Sequence, residues 1–286
     1  MFEAIGTQWQ LTLDEAAFTP ALTDQISSLI ARFDQTWSRF RDDSVINQLR
    51  NAPTAVCLPT EADELFRLYA ELDELTDGAV NPLVGAGLES LGYDARYSFV
   101  DRETGIQTAP RWSELRWDPP VLEVPRPVVL DVGAAGKGLL VDLVTSVLRD
   151  KATGAFTVDA GGDLFRHDPD HSAPIRVGLE HPFATDHVVG VVELAHGALC
   201  ASAVNRRMWG DGLHHILDAR TGRPTSGIAA TWALAPTCML ADGLASALFF
   251  VPPATIAQRY PAPVHSLRLG IAGLEADPDF PGELFP

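Results

Sequence analysis

The chain has 286 residues, enough to bury the core of one large domain or of two ordinary ones. Apolar residues make up 46% of it and charged residues 21%, a composition that excludes a wholly disordered chain. The formal net charge of −17 disfavours nucleic acid or an anionic membrane surface as a partner, because an acidic protein repels both.

The N-terminal part of the chain is predicted to begin with a strand and a long helix. Alternating residue types over 7–13 predict the strand. Residues 22–49 have helical periodicity, which we expect to break near Asp42 and to restart at Ser44.

The next stretch is predicted to hold one helix followed by less regular chain. Thr60 and Asp63 predict a capping box for a helix that continues to about Leu75 and stops at Gly78. Over residues 81–125 glycine and proline are frequent and periodicity is weak. We expect irregular structure there, or an excursion around the core.

The second half is predicted to be rich in strands. “RPVVLD” (126–131) and “AFTVDA” (155–160) indicate buried strands on either side of a helix over residues 138–148. An apolar helix is expected at “LADGLASALFFV” (240–251), and the end, “EADPDFPGELFP”, is expected to be a surface tail. Further strand-like runs are “IRVGLE”, “HVVGVVELA”, “ALCASAV”, “HHILDA” and “ATWALAP”.

This order of elements predicts an α+β fold with a mixed, mainly antiparallel sheet core and flanking helices. The three cysteines are far apart and form no C-x-x-C pair, which favours reduced thiols. The N-terminus lacks a basic region and a long apolar run, and no stretch offers the roughly 18 consecutive apolar residues of a membrane span. We therefore expect a cytoplasmic protein, with a chain trimmed of its leader as the alternative.

The stretch “LDVGAAGKGLLVD” (130–142) combines glycines and a lysine between a predicted strand and a predicted helix. Two residues separate Gly133 from the Gly136-Lys137 pair, whereas a Walker A loop has four, and the spacing to Gly138 is also not that of a Rossmann loop. Small residues at a helix N-terminus still suit an anionic ligand. The alternative is a tight turn whose glycines serve geometry alone.

Two further turns carry polar residues. Gly161 and Gly162 lie between Asp159 and Asp163 just after a predicted strand, where an ordinary hairpin turn is the alternative. Farther along, “HHILDARTGRP” (214–224) concentrates two histidines, an aspartate and two arginines around a Thr-Gly turn. A charged surface turn is the alternative there.

Asp242 and Ser246 stand four residues apart in an otherwise apolar helix, so they share one helix face. Carboxylate and hydroxyl oxygens are ligands that Mg²⁺ accepts. The alternative is that Asp242 caps the helix.

In this order, these pieces resemble the ApbE family, the FAD:protein FMN transferases. The motifs that carry the resemblance are “DVGAAGKGLLVD”, “DAGGD”, “SAVNRR”, “HHILDARTGRP” and “DGLASA”, with looser matches at “IGTQWQL”, “WSRFRDDSVINQLR” and “DGAVNPLVG”. The resemblance covers residues 5–250 approximately. It implies one catalytic unit over residues 1–286 with a T-fold-like architecture, or one with a smaller α/β excursion around 60–125.

The resemblance also implies the ligands and the residues that hold them. FAD is the implied substrate, and Mg²⁺ is implied at its pyrophosphate, bound by Asp242, Ser246 and the carbonyl of Ala134. The implied FAD-binding residues are Gly6, Thr7, Gly133, Ala134, Gly136, Lys137, Asp159, Gly161, Gly162, Asp163, Ser202, Arg207 and His215. The chain departs from the family pattern at Asn81, Gly136, Ala203 and Ala219.

The implied reaction is attack by a Thr or Ser hydroxyl of an acceptor protein on the flavin-side phosphate, with AMP leaving. We expect His215 to be the base and Asp218 to orient it, with a purely structural histidine as the alternative. Hydrolysis of FAD to FMN and AMP, or FAD binding without turnover, are the alternative functions. A more distant one is a carbohydrate or small-acid enzyme that uses Asp159 and Asp163 as paired carboxylates.

Overall fold

The computed structural model describes residues 1–14, 17–102, 107–152 and 154–285. The chain divides into two compact units. The first unit comprises residues 1–31, 135–203 and 227–286, and the second comprises 32–134 and 204–226. The prediction of one catalytic unit stays a prediction.

The described residues form helices and strands in both halves of the chain. The helices are α1 (Pro20–Trp37), α2 (Ala62–Leu75), α3 (Gly85–Ser90), α4 (Gly136–Arg149), α5 (Cys238–Ala247) and α6 (Pro253–Arg259). The strands are β1 (Phe2–Ala4), β2 (Thr7–Thr12), β3 (Thr54–Cys57), β4 (Arg116–Asp118), β5 (Val121–Val124), β6 (Phe156–Asp159), β7 (Asp163–His167), β8 (Ile175–His181), β9 (Ala184–Leu194), β10 (Gly197–Ala203), β11 (Met208–Trp209), β12 (Leu213–His214), β13 (Leu217–Asp218), β14 (Arg223–Pro224), β15 (Ile228–Ala235), β16 (His265–Gly270), β17 (Gly273–Ala276) and β18 (Gly282–Leu284).

The first unit is built on a sheet whose described strands follow the order β1-β2-β6-β7-β10-β15-β16-β17. Every neighbouring pair in it is antiparallel. Helices α4 and α5 pack against each other, and α5 also packs on β10 and β15. The predicted α+β fold with a mainly antiparallel sheet and flanking helices is confirmed.

A second sheet of the first unit has the strand order β18-β9-β8. Its apolar side chains join one buried cluster that includes Leu179, Val192, Trp232 and Leu267. The prediction of a surface tail at the C-terminus is wrong, because β18 pairs with β9. A Cβ on Gly190 would stand 2.8 Å from the carbonyl oxygen of Glu283, so the glycine makes this close approach possible. Pro286 of the predicted tail lies outside the described residues.

The second unit contains α2 and α3 and a small antiparallel sheet of order β3-β5-β4. Trp37 and Phe66 pack edge to face in its core, with ring centroids 5.9 Å apart. Gly78 follows α2 with a φ of +84° and donates its N–H to the carbonyl of Asp73 (2.7 Å), so the predicted helix stop is confirmed.

Three predictions for the second unit need correction. The capping box of α2 is absent, since Asp63 donates its N–H to the carbonyl of Thr60. The predicted strand “RPVVLD” forms no ladder, because Val128 and Asp131 donate their N–H groups to carbonyls of separate segments. The predicted strand “HHILDA” is interrupted between β12 and β13, where Ile216 donates its N–H to Nδ1 of His214 (3.3 Å).

Other predictions are right in part. Helix α1 ends at Trp37, and a short 3-10 helix over Ile46–Arg50 takes the place of the predicted helical restart. Ser44, the predicted restart, accepts the N–H of Asn47 with its side chain (3.2 Å). The range 81–125, predicted as irregular chain or an excursion, contains α3, β4 and β5, while its residues 103–106 lie outside the described residues.

Candidate functional site

The predicted site residues of the first unit meet around the start of α4. Lys137, in the first turn of α4, forms an ion pair with Asp163 at the start of β7. Burial alone would lower the pKa of Lys137, but the charges of Asp163 and Asp242 raise it above its usual value. The lysine is therefore a firmly held cation between carboxylates.

Asp242 supplies the second of these carboxylates from α5. It is buried, and its Oδ2 accepts the N–H of Gly138 at 2.9 Å. Burial, followed by the neighbouring Asp163, raises the pKa of Asp242 well above its usual value. Two buried carboxylates thus share the single ammonium of Lys137, an arrangement that favours a further cation.

The alternative that Asp242 caps its own helix is wrong. The N-cap of α5 is Thr237, whose hydroxyl accepts the N–H of Leu240 (3.3 Å). Asp242 instead accepts a hydrogen bond from the first turn of α4. Ser246 follows one turn later on α5 and is half-buried.

Gly138 allows α4 and α5 to approach each other at backbone distance. A Cβ at this position would stand 2.3 Å from the carbonyl oxygen of Cys238 and 2.8 Å from Cβ of Asp242. No side chain fits there without movement of one helix. The glycine that ends the predicted loop therefore serves helix packing and exposes its N–H to Asp242.

Asp142 is a site-forming residue to which sequence reasoning assigned no role. It lies on α4, and its two carboxylate oxygens accept the N–H groups of Cys238 and Met239, both at 2.8 Å. Burial raises its pKa to about 6. Its place as the final aspartate of the motif “DVGAAGKGLLVD” was the one available signal.

A second group of predicted residues meets at the β6–β7 turn. Gly161 and Gly162 have φ values of +68° and +116°, and Asp159 accepts the N–H of Gly161 (2.8 Å). A Cβ on Gly161 would stand 2.3 Å from Oγ1 of Thr7, so the turn touches the start of β2. Gly6 precedes Thr7 with a φ of +77°. The glycines form the hairpin turn weighed as the alternative, and they also bring these predicted residues together.

Ser202 lies on β10 of the first unit, half-buried, opposite Thr231 in the ladder. Its carbonyl accepts the hydroxyl of Thr231 (3.4 Å). Gly162 reaches the same strand, since its carbonyl accepts the N–H of Ala201 (2.8 Å).

Gly136, the first residue of α4, belongs to the first unit, and the other predicted residues belong to the second. Gly133 donates its N–H to Asp131 (2.7 Å), and Asp131 forms an ion pair with the buried Arg39. Burial alone would raise the pKa of Asp131, but the charge of Arg39 holds it below its usual value. Ala134 follows, half-buried. Arg39 was missed by sequence reasoning, although it lies in the loosely matching stretch “WSRFRDD”.

His215 is held as a neutral imidazole. Burial, and then the charge of Arg207, lower its pKa to about 3, against a hydrogen bond to the backbone of Arg207 that raises it. Its Nδ1 is buried and has no hydrogen-bond partner among the described residues. The side chain of His214 has a different partner, because its Nε2 lies 2.9 Å from the carbonyl oxygen of Thr225. Adjacent residues of a strand point to opposite sides, which predicts this difference between the two histidines.

Asp218 pairs with Arg220, and its orienting role toward His215 stays a prediction. The Arg220 side chain donates to both carboxylate oxygens, at 2.9 and 2.7 Å, and the pair holds the turn that follows β13. Arg207 is exposed, and its guanidinium lies 5.5 Å from the ring centroid of Tyr93.

Two features are absent from the described part of the chain. No three or more His, Cys, Asp or Glu side chains there are grouped to hold a metal ion. None of the helices described is both long enough and apolar enough to cross a bilayer.

Comparison with known proteins first identifies the class of enzyme to which the relatives of this chain belong. The chain is 25% identical over 272 residues to a FAD:protein FMN transferase of Haemophilus influenzae, covering 86% of this chain and 78% of the relative. It is 29% identical over 266 residues to one of Treponema pallidum, covering 82% and 72%. These relatives are transferases.

The family follows from the whole-chain match. Residues 5–262 match the model of the ApbE family. The crystal structure of the ApbE protein from Thermotoga maritima superposes with a TM-score of 0.84 at 24% identity, covering 96% of this chain and 95% of that one, and so has the same fold. The chain belongs to the ApbE family.

Proposed function

We propose that this chain is a Mg²⁺-dependent FAD:protein FMN transferase that attaches FMN through a phosphoester to a Thr or Ser of an acceptor protein and releases AMP. The two relatives compared above carry the name of this activity. The observation that carries the proposal is the buried group of Asp163, Lys137 and Asp242 at the start of α4. It places a fixed cation, and a carboxyl whose proton a metal ion can replace, beside helix N–H groups, which suits a metal-bound pyrophosphate.

The residues present fit Mg²⁺. Lys137 pairs with Asp163, and burial together with that carboxylate raises the pKa of Asp242, so a divalent cation can take the place of the proton on Asp242. In this proposal, Asp242 and Ser246 supply side-chain oxygens and Ala134 supplies its carbonyl, a donor set of the kind that Mg²⁺ prefers. When bound, Mg²⁺ neutralises charge on the pyrophosphate of FAD.

The protein's own contribution is chiefly to bind and align the pyrophosphate. Phosphoryl transfer requires in-line placement of the attacking and leaving oxygens and compensation of their charge. Lys137 supplies a fixed positive charge, and N–H groups of the α4 N-terminus point toward an anion. The turns with Gly6, Thr7, Asp159 and Gly161 supply backbone that a nucleotide can approach closely.

The remaining predicted residues are proposed to contact FAD as well. Three of them precede Lys137 on the glycine–lysine loop, three lie in the β6–β7 hairpin turn or on the adjoining strands, and one is Arg207, whose backbone forms a hydrogen bond with His215. They are Gly133, Ala134, Gly136, Gly162, Asp163, Ser202 and Arg207.

His215 is the proposed base. The oxygen of the acceptor hydroxyl forms a bond to the flavin-side phosphorus, the bond from that phosphorus to the bridging oxygen breaks, and AMP leaves with the electron pair. The hydroxyl proton passes to Nδ1 of the neutral His215, a buried nitrogen without a hydrogen-bond partner among the described residues. The low pKa makes this imidazole a weak base until an anion is near, and the phosphates of bound FAD raise it.

The test is to incubate the protein with FAD, Mg²⁺ and a soluble extract of the source cells, followed by mass spectrometry. The proposal expects Ser or Thr peptides whose mass has increased by one FMN phosphoester, together with released AMP. AMP without labelled peptides would assign the protein as a FAD pyrophosphatase. Retained flavin without either product would assign it as a binding protein.

A further inference from the structure

The N-terminus of α5 is capped by two different side chains. Asp142 of α4 accepts the N–H groups of Cys238 and Met239, both at 2.8 Å. Thr237 accepts the N–H of Leu240 at 3.3 Å. The first three N–H groups of α5 are therefore satisfied, two of them by a residue 96 positions away in sequence.

The first turn of α4 is in turn capped from α5. Gly138 donates its N–H to Oδ2 of Asp242 at 2.9 Å. Each helix thus supplies the carboxylate that the N-terminal turn of the other requires. The backbones meet without an intervening side chain at Gly138, so neither helix slides along the other without breaking these hydrogen bonds.

We propose that Asp142 is a positioning residue that fixes the first turn of α5 against α4, and thereby the carboxylate of Asp242 relative to Lys137. The proposal deepens the function proposed above and rests on it for its catalytic meaning. Ser246 follows on the same helix, so its place is set by the same contact. A displacement of about 1 Å at such a site is enough to weaken a ligand strongly.

Helix stability alone does not account for this cap. Thr237 is exposed and already caps the helix locally, as serine and threonine do at most helix starts. A half-buried carboxylate with a raised pKa is a costly cap at neutral pH, because its charged form is partly withdrawn from water. What the remote carboxylate provides, and Thr237 does not, is registration of α5 on α4.

The test compares Asp142→Asn, which replaces one of the two acceptor oxygens by an NH₂ donor, with Thr237→Val, which removes the local cap at the same end of α5. The first readout is amide hydrogen exchange in the opening turn of α4, where Gly138 reports its bond to Asp242. The second is the affinity for Mn²⁺ in the presence of FAD, measured by electron paramagnetic resonance. We expect Asp142→Asn to speed exchange at Gly138 and to weaken Mn²⁺ about 10- to 100-fold, the usual effect of losing a supporting shell. We expect Thr237→Val to lower Tm while leaving both readouts at the wild-type value.

The two readouts separate failure of this inference from failure of the proposed function. If both variants lower Tm equally and the N–H of Gly138 stays protected from exchange in both, Asp142 is an ordinary helix cap and the inference is overturned. Fast exchange at Gly138 in a protein whose wild type binds no Mn²⁺ would support the positioning and overturn the metal site. If Asp142→Asn does not fold, Asp142→Glu keeps the charge on a longer side chain and is expected to show the same displacement.

Discussion

Lys137 and Asp163 form an ion pair in which the carboxylate side chain is fully shielded from solvent and that of the lysine keeps 24% of its exposure. The nearby Asp242 is a second acidic group beside the same ammonium, and burial and the charge of Asp163 raise its pKa. The same charges therefore affect both the stability of the fold and the binding of a metal-bound anion.

Removing the cation is expected to destabilise the protein. Lys137→Met leaves Asp163 and Asp242 without their shared counter-charge, and we expect the free energy of unfolding to fall by about 3 kcal/mol, as when one partner of a buried pair is removed. Urea denaturation measures the loss. Lys151→Met, which removes an exposed lysine, is the matched control and should change little. If the two variants lose the same free energy of unfolding, Lys137 is not the counter-charge of the buried acidic pair.

Enlarging Gly138 is expected to separate α4 and α5. The Cβ of Gly138→Ala would stand 2.3 Å from a backbone oxygen, which cannot move without its helix. We expect a loss of about 3 kcal/mol in the free energy of unfolding, the upper part of the usual range for overpacking. Gly154→Ala is the control, because its Cβ would meet only the mobile end of the Asp14 side chain at 3.1 Å. A Gly138→Ala protein as stable as this control would refute the close helix packing.

Asp242→Asn is expected to separate metal binding from folding. The raised pKa of Asp242 favours its protonated form, which the neutral amide closely replaces, so the Tm without ligands should stay level. The stabilisation by Mg²⁺ with FAD should be lost, along with AMP production. Thermal unfolding with and without both ligands tests this. If the variant keeps its FAD affinity, its stabilisation by Mg²⁺ and its AMP release, Asp242 is not a metal ligand.

His215→Ala is expected to abolish FMN transfer while FAD remains bound. The imidazole offers an Nδ1 that lacks a hydrogen-bond partner among the described residues and can take the proton of the acceptor hydroxyl, so its loss affects the reaction more than the binding of FAD. Flavin fluorescence follows binding, and mass spectrometry of the acceptor follows transfer. His187→Ala, at an exposed histidine, is the control. Parallel loss of binding and transfer would instead assign His215 a packing role.

His215 is also expected to make stability depend on pH. Its folded-state pKa of about 3 lies below the ordinary value of 6.5, so between these values the unfolded chain binds more protons than the folded one. Stability should therefore fall as pH drops from about 6.5 toward 3. In His215→Gln this part of the slope should be missing, measured as the difference in Tm between the two proteins across that range. Parallel Tm curves would contradict the buried neutral imidazole.

The sequence patterns that were interpreted correctly are local ones. Alternation over residues 7–13 predicted β2, and the strong apolar periodicity after Gly136 predicted α4. The strand assigned to “RPVVLD” failed because a short apolar run indicates which side chains are buried, not where the N–H groups of Val128 and Asp131 donate.

The parts of the site that sequence reasoning missed depend on contacts between distant residues. Arg39 meets Asp131 across 92 positions, and Asp142 meets Cys238 across 96. Neither pair leaves a periodic trace, since each is made by tertiary packing of separate segments. The motif resemblance marked the right stretches, but only the packed helices give Asp142 and Gly138 their roles.

The last strand has a consequence for handling the protein. β18 pairs with β9 through Gly282–Leu284 and covers a row of backbone N–H and C=O groups. Deleting these residues would leave a bare strand edge, which is a template for pairing with other chains. A shortened chain is therefore expected to self-associate and precipitate even with every residue of the candidate site in place.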